Sequence, residues 1–455
     1  MQTRHDPYYY LPKFVRLEAR VMARSTARLR DYVLAMSGGS TPKKEEGEKY
    51  YADAESGIPF VRVQNLKADG HLSQDDVKYV NRETHDGLLN RSKVLQDDLL
   101  VKITGVGRMA VASVPPIGFE GNINQHIARI RTRSRAVSEA LAAWLNTDIA
   151  EALAKRRSTG GTRPALDYPA LRSIPVILDE QMQKELSAAH VQHKRAKAKA
   201  SELLAGIDEY LLSELGITLP PELENTITNR IFTSRRQELA GWRFDPDMAL
   251  YSKHTRTAKY NAAKLKEHMR SVPQYGANER GVERMSRQVP RYVRITDVNE
   301  FGELSPGPGV AAEVAEDKYL LEPGDLLFAR SGNTVGKTYF HTAGTDEKHI
   351  FAGYMIRFRL DAATLLPEYA FSYTLCSAYK EWCRAVQRAS GQPNINAEEY
   401  KSLLIPVPPL EKQTEIAKKV FHLRHQAQLL REKADMELHA TKHRIESILL
   451  GEVPV

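Results

Sequence analysis

The segment FVRVQNLKADGHL (residues 60–72) aligns without a gap on YVRITDVNEFGEL (residues 292–304), and this match decides the fold. An aromatic residue, a valine, an arginine, a glycine and a leucine occupy the same columns in both segments. Three further matches keep the same order: DLLVKITG (98–105) with DLLFARSG (325–332), IARIR (127–131) with MIRFR (355–359), and IPV (174–176) with IPV (405–407). Four matches in one register, about 230 residues apart, indicate a tandem duplication.

The composition sets the class of protein. At about 150 residues per domain, 455 residues predict two to four domains. The 65 basic and 57 acidic side chains give a net charge of +8, which favours a polyanionic partner without excluding an ordinary enzyme. The only cysteines, Cys376 and Cys383, exclude a disulfide framework and a four-cysteine zinc site. No apolar run approaches the ~20 residues of a membrane span, and residues 1–11 do not resemble a signal peptide, so we expect a soluble, cytoplasmic protein.

Each half changes its periodicity once. Short alternating runs such as 60–66, 99–103 and 326–329 predict strands, and amphipathic stretches at 138–153 and 367–386 predict helices. The fold class is therefore α+β, with mixed α/β globules over 1–176 and 217–407. Each globule is followed by a purely helical pattern, over 177–216 and 408–451.

The two long helices carry apolar stripes at steps of three and four residues, which is the spacing of a left-handed coiled coil. The stripes are Met182, Leu186, Ala189, His193, Ala196, Ala200, Leu203, Ile207 and Tyr210 in the first helix, and Ile416, Val420, Leu423, Ala427, Leu430, Ala434, Glu437, Thr441, Ile445 and Ile448 in the second. Connectivity makes a pair of such helices antiparallel, with an approximate two-fold relation between the globules. Helices of about 30 to 40 residues predict a rod of roughly 45 to 60 Å, longer than one turn of DNA at about 34 Å.

These features resemble the specificity subunits of type I restriction-modification enzymes, over nearly the whole chain. The resemblance is carried by SGGSTP (37–42), GIPFVR (57–62), PGDLLFAR (323–330) and IPVPPLEKQ (405–413). At the start of the first long helix, the sequence departs from this pattern, because ILDEQ (177–181) replaces the PPLEKQ form. The resemblance implies two target recognition domains, each reading half of a split, asymmetric double-stranded DNA site, separated by an antiparallel two-helix coiled coil.

The resemblance also implies the partners and cofactors. The helices would act as a spacer and would bind two methyltransferase subunits and, through them, restriction subunits. S-adenosylmethionine, ATP and Mg²⁺ would belong to those partners, and this chain would bind no cofactor and catalyse no reaction.

The chemical motifs of an enzyme are missing from the sequence. It has no Asn-Pro-Pro-aromatic or Asp-Pro-Pro-Tyr string, so we expect no methyl transfer by this chain. SGNTVGKT (331–338) looks like a phosphate-binding loop, but only three residues separate its glycines where a P-loop has four. No HExxH motif or Cys/His cluster is present, so we expect no metal site.

Candidate DNA-binding residues lie in glycine-containing loops rich in Arg, Lys, Asn, Gln, Ser and Thr, the side chains that bind base edges and phosphates. The alternative for each loop is a solvated basic turn. The candidates are Lys43, Lys44, Lys102, Thr104, Arg108, Arg156, Arg157, Thr162 and Arg163 in the first half, and Tyr275, Asn278, Arg280, Arg330, Ser331, Asn333, Lys337, Arg388, Gln392, Asn394 and Asn396 in the second. Because the loops of the two halves differ, two different half-sites are expected.

Three alternatives remain open at this stage. The chain could be the recognition subunit of a type II-like restriction-modification enzyme, which shares this architecture. A stand-alone nucleic-acid enzyme would cleave or modify DNA by itself. A coiled-coil adaptor that binds only protein would show no salt-dependent affinity for DNA.

Overall fold

The computed structural model describes residues 6–43, 47–220, 246–253, 258–332, 334–342, 347–387 and 392–452, with the single residues 226, 228, 231, 233 and 235. The chain divides into two compact units. Unit 1 comprises Met1–Lys197 and Arg431–Val455, and unit 2 comprises Ala198–Leu430.

Unit 1 combines short strands with helices. Its strands are β1 (Ala35–Gly38), β2 (Tyr51–Ala52), β3 (Ile58–Val61), β4 (Lys78–Val80), β5 (Lys93–Leu95), β6 (Leu99–Lys102), β7 (Ala112–Ser113), β8 (Glu120–Ile123) and β9 (Ile127–Arg131). Its helices are α1 (Pro12–Arg24), α2 (Gly47–Tyr50), α3 (Arg82–Asp86), α4 (Arg135–Leu145), α5 (Asp148–Arg157), α6 (Tyr168–Arg172) and the first part of α7 (Glu180–Leu215). One antiparallel sheet has the order β1-β9-β6-β7, and a five-stranded sheet has the order β2-β4-β3-β8-β5.

Unit 2 has corresponding elements. Its strands are β10 (Ala262–Lys264), β11 (Gln274–Tyr275), β12 (Gly281–Glu283), β13 (Arg291–Val293), β14 (Val310–Ala312), β15 (Leu326–Ala329), β16 (Thr338–Phe340), β17 (His349–Phe351), β18 (Met355–Phe358) and β19 (Leu404–Pro406). Its helices are α8 (Pro246–Lys253), α9 (Pro367–Tyr373), α10 (Ser377–Val386), α11 (Ala397–Lys401) and the first part of α12 (Leu410–Leu449).

The two units repeat one sheet topology. The order β11-β18-β15-β16 in unit 2 is that of β1-β9-β6-β7 in unit 1. The register is also the same, because Leu100 pairs with Arg129 and Leu327 with Arg357. In both units the strand carrying the Phe/Tyr-Val motif, β3 or β13, pairs in parallel with β8 or β17. The sequence matches therefore fall on equivalent strands.

A buried aspartate explains the repeated DLL motif. Asp98 accepts hydrogen bonds from the Leu95 backbone N–H at 2.9 Å and from Arg131 Nε at 3.1 Å. Asp325 accepts equivalent bonds from the Glu322 N–H at 2.9 Å and from Arg359 Nε at 2.7 Å. Each aspartate thus fixes the turn before its central strand and links it to the neighbouring strand, because a buried carboxylate needs such partners.

The prediction of one helix at 138–153 and one at 367–386 is wrong, since each stretch is divided between two helices. The first is interrupted at Asn146 and Thr147, because the Thr147 hydroxyl accepts the Ala150 N–H at 3.1 Å and starts α5 as its N-cap. The second is interrupted between Thr374 and Cys376, which end α9 and start α10.

The long helices α7 and α12 pack against each other inside each unit. In unit 1, Met182 and Leu186 share a core with Ile445 and Leu449, and His193 Nε2 lies 2.6 Å from Asp435 Oδ1. In unit 2, residues from both helices join a second core: Ala200, Leu204, Ile207, Leu211, Ile416, Val420 and Ala427. Leu204 and Leu211 are buried there, whereas the stripe residues Leu203 and Tyr210 are only partly buried. Within the described residues, no helix is long and apolar enough to span a bilayer.

Candidate nucleic-acid interface

A pair of hydrogen-bonded loops lies beyond the central strand of each sheet. We call residues 103–110 and 330–336 the glycine loops, and residues 159–166 and 392–396 the partner loops. In unit 1 the Gly105 N–H donates to Pro164 O at 3.1 Å. In unit 2 the Gly332 N–H donates to Pro393 O at 3.0 Å. The glycine-containing loops that carry most of the candidate residues thus meet at equivalent places in the two units.

The first strand of each sheet ends beside these loops. A Cβ atom at Gly39 or Gly276 would collide with the carbonyl oxygen of Ile123 or Phe351, so only glycine allows this close approach. A tyrosine lies at the end of this first strand in both units, but it comes from different elements. In unit 2 it is Tyr275, on β11 itself. In unit 1 it is Tyr168, at the start of α6, whose hydroxyl group approaches Gly38 of β1.

In unit 2, the structure brings several predicted residues together. The Arg330 guanidinium lies 4.8 Å from the centre of the Tyr275 ring, in a cation–π contact. Arg330 Nε is buried and has no hydrogen-bond partner among the described residues. Ser331 forms a backbone bridge with Asn394, and Gln392 is exposed beside Gly332. These side chains form a polar surface with an aromatic base.

The other candidates of unit 2 have different environments. Asn278 and Arg280 are exposed in the segment after Tyr275. Lys337 donates to Val298 O at 3.2 Å, and Asn396 is the N-cap of α11, accepting the Glu399 N–H at 2.9 Å.

Three predicted residues of the two units lie outside the described residues: Lys44, Asn333 and Arg388.

In unit 1, four predicted cations are turned inward. Lys102 Nζ donates to Val106 O at 2.7 Å, and burial lowers the pKa of Lys102. Arg108 lies 2.6 Å from a carboxylate oxygen of Asp148. Two neighbouring arginines, 7% and 3% exposed, bind one carboxylate: Arg156 and Arg157. A contact of these cations with DNA would require breaking internal bonds, so the proposed DNA surface omits them.

The remaining candidates of unit 1 lie at the loops. Lys43, Thr162 and Arg163 are exposed, and Thr104 forms the backbone bridge with Ala165 that corresponds to the bridge of Ser331. The glycine and partner loops of unit 1 therefore keep the backbone arrangement of unit 2 with different side chains. Among the described residues, no cluster of three His, Cys, Asp or Glu side chains could hold a metal ion.

Sequence reasoning missed Tyr354. This residue is 59% exposed, and its carbonyl oxygen accepts the Arg330 N–H at 2.9 Å, so it lies next to the glycine loop. His126 has the equivalent place in unit 1, where its carbonyl accepts the Ile103 N–H at 3.0 Å. The sequence contains no signal for either position, because a lone aromatic residue next to a strand is more often part of a core.

Comparison with known proteins supports the resemblance found in the sequence. Residues 292–436 match the family model described as the type I restriction modification DNA specificity domain. The chain is 22% identical over 435 residues to the type I restriction enzyme EcoKI specificity subunit of Escherichia coli K12, covering 92% of this chain and 86% of that one.

Two solved structures are also similar. The type I restriction-modification S subunit from M. genitalium is 13% identical, with 94% of this chain and 96% of that chain covered and a TM-score of 0.42. The HsdS subunit from Thermoanaerobacter tengcongensis is 15% identical, with the same coverage and a TM-score of 0.33. Residues 292–436 thus match a DNA specificity domain, and over most of its length the chain is similar to a specificity subunit of a type I restriction-modification system.

Proposed function

We propose that this chain recognises a bipartite, asymmetric DNA site, with one half-site read by the loops of each unit. One observation carries the proposal: both units repeat the same loop pair on the same sheet, but present different side chains from it. Equivalent backbones with different side chains fit two readers of different sequences, because base edges are distinguished by side chains. The net charge of +8 favours a phosphate backbone as the partner.

The long helices support a spacer role in this proposal. Helix α7 has 36 residues and α12 has 40, lengths of about 54 and 60 Å at 1.5 Å per residue. Both helices contribute residues to both units. We therefore propose an antiparallel coiled-coil spacer whose exposed faces bind two methyltransferase subunits and, through them, restriction subunits. S-adenosylmethionine, ATP and Mg²⁺ would be bound by those partners, and this chain would have no catalytic activity.

The experiment starts from the full chain bound to its methyltransferase subunits. This complex selects duplexes from a randomised library at two salt concentrations, and the enriched duplexes are sequenced. We expect a split motif and an affinity that falls steeply as salt rises. Weak, motif-free enrichment without salt dependence would favour a protein-only adaptor and contradict the proposal.

The variant Arg330→Ala tests the unit 2 surface. A lost bidentate contact should weaken binding by about 1–3 kcal/mol and relax preference in one half of the motif only. Arg287→Ala is the matched control, because this arginine is 88% exposed in the same unit and lies outside the loop pair. An unchanged motif in Arg330→Ala would remove this loop from the proposed reading surface.

A further inference from the structure

The glycine loop of unit 1 presents an apolar side chain at its tip. Val106 is 76% exposed and stands between Gly105 and Gly107, whose φ angles are +126° and +83°. These backbone conformations suit glycine, and they turn the chain sharply on both sides of the valine. A valine so exposed gains nothing from the core of its own unit.

The loop holds this tip in a fixed position. Lys102 Nζ donates to the carbonyl oxygen of Val106 itself, and Lys102 N–H donates to Val111 O at 2.8 Å. On the far side of the tip, Arg108 is anchored to Asp148, and the next residue, Met109, is only 1% exposed. The cations of this loop therefore shape the tip and are not offered to a ligand, so the group that the loop itself presents is an isopropyl group.

We infer that Val106 is a specificity-determining residue that contacts the C5-methyl group of a thymine in the major groove. This inference rests on the proposed function, because it assigns a base to one of the two proposed readers. The thymine methyl is the apolar feature that distinguishes bases in the major groove, and small apolar side chains are its usual partners. The fixed loop lowers the cost of ordering the contact. Exposed Lys43 and Arg163 in unit 1 supply charges suited to phosphates.

The test replaces thymine by deoxyuracil, which lacks only the methyl group. The duplex selected by the wild-type complex is synthesised with deoxyuracil at each thymine in turn, and affinities are measured for the wild type, Val106→Ala and Ile117→Ala. Ile117 is the matched control, because it is 81% exposed in unit 1 but lies in the connection between β7 and β8, outside the loop pair.

We expect one thymine position, in one half-site, where deoxyuracil weakens wild-type binding about fourfold, the effect of one buried methyl group. Val106→Ala should bind thymine and deoxyuracil equally at that position, and Ile117→Ala should behave as the wild type. A wild-type complex with a clear split motif that contains no thymine sensitive to this replacement would overturn the inference and leave the proposed function standing. A sensitivity retained in Val106→Ala would also overturn it. Absence of any motif for the wild type would overturn both.

Discussion

Glu18 binds Arg156 and Arg157, two buried arginines that the sequence predicted as DNA contacts. Its carboxylate accepts hydrogen bonds from Arg156 Nη1 at 2.6 Å and from Arg157 Nη2 at 2.7 Å. Arg156 also lies 4.2 Å from the centre of the Tyr9 ring, and burial lowers the pKa of Arg157. The N-terminal segment thus uses these cations to attach α1 to α5, and a single carboxylate compensates both.

We expect Glu18→Gln to lower the free energy of unfolding of unit 1 by about 3–5 kcal/mol, because it removes the carboxylate that pairs with two buried cations. Glu139→Gln is the control, since Glu139 pairs with Arg135 on the partly exposed surface of α4 and should cost under about 0.5 kcal/mol. Guanidinium unfolding, with hydrogen exchange to assign the transition to unit 1, measures both. Equal small losses would contradict the role given to Glu18.

His349 gives unit 2 a pH-dependent stability. It is 4% exposed on β17, and burial, with added repulsion from His341 and Arg291, lowers its pKa to about 4. The folded state therefore keeps this imidazole neutral, while an unfolded histidine takes up a proton near pH 6.5. Because the unfolded state binds more protons in this range, stability falls as the pH decreases from about 6.5 to about 4, and levels off below.

We expect the Tm of unit 2 to decrease on acidification through that range, and to decrease less steeply in His349→Gln. His422→Gln, a change at an exposed position on α12, should keep the wild-type slope. Thermal unfolding at a series of pH values tests this, and an identical slope in His349→Gln would contradict it.

At the scale of elements, the core that the long helices share differs in detail from the stripes predicted from the sequence. Ala200 and Ala427 are fully buried in the core that α7 and α12 share within unit 2. The same core includes Leu204, one position away from the stripe residue Leu203. Small residues on both helices permit close approach, and the leucine that is most buried then depends on how each helix is rotated about its axis.

We expect Ala427→Leu to destabilise unit 2 by about 1–3 kcal/mol, because a larger side chain overpacks a filled core. Gln426→Leu introduces the same side chain at the adjacent, exposed position and should stay within about 0.5 kcal/mol of the wild type. Denaturant unfolding compares the two variants. A stabilised Ala427→Leu would mean that the helices leave a cavity at this position.

At the scale of the whole molecule, the duplication is the feature that joins fold to function. The equivalent strand orders and registers show that one unit was used twice, and the loop pair carries different side chains in the two copies. The sheets and buried aspartates keep the common frame, so the loops are free to diverge without loss of the fold.

The proposed spacer is tested by inserting one heptad into α7 after Lys197 and one into α12 after Leu430. Seven helical residues add about 10 Å, or about three base pairs at 3.4 Å per step, so the unspecified gap in the selected motif should lengthen by about three. A heptad added to only one helix is the control, since it breaks the pairing and should impair binding. An unchanged gap in the double insertion would contradict the spacer role.

The sequence by itself determined the duplication, the α+β class, the two long helices near 177–216 and 408–451, and the resemblance that the family-model match over residues 292–436 supports. These features follow from local information: periodicity, proline positions and matching strings are present in the chain before it folds. The glycine-containing loops were also found this way, because their composition could be read directly.

Only the tertiary structure decided which loop residues face solvent. Arg156 and Arg157 look like surface cations in the sequence, yet both are buried and bind a glutamate about 140 residues away in the chain. Tyr354 is exposed, although it follows a buried strand. Exposure and ion pairing depend on partners distant in the chain, which no local pattern encodes.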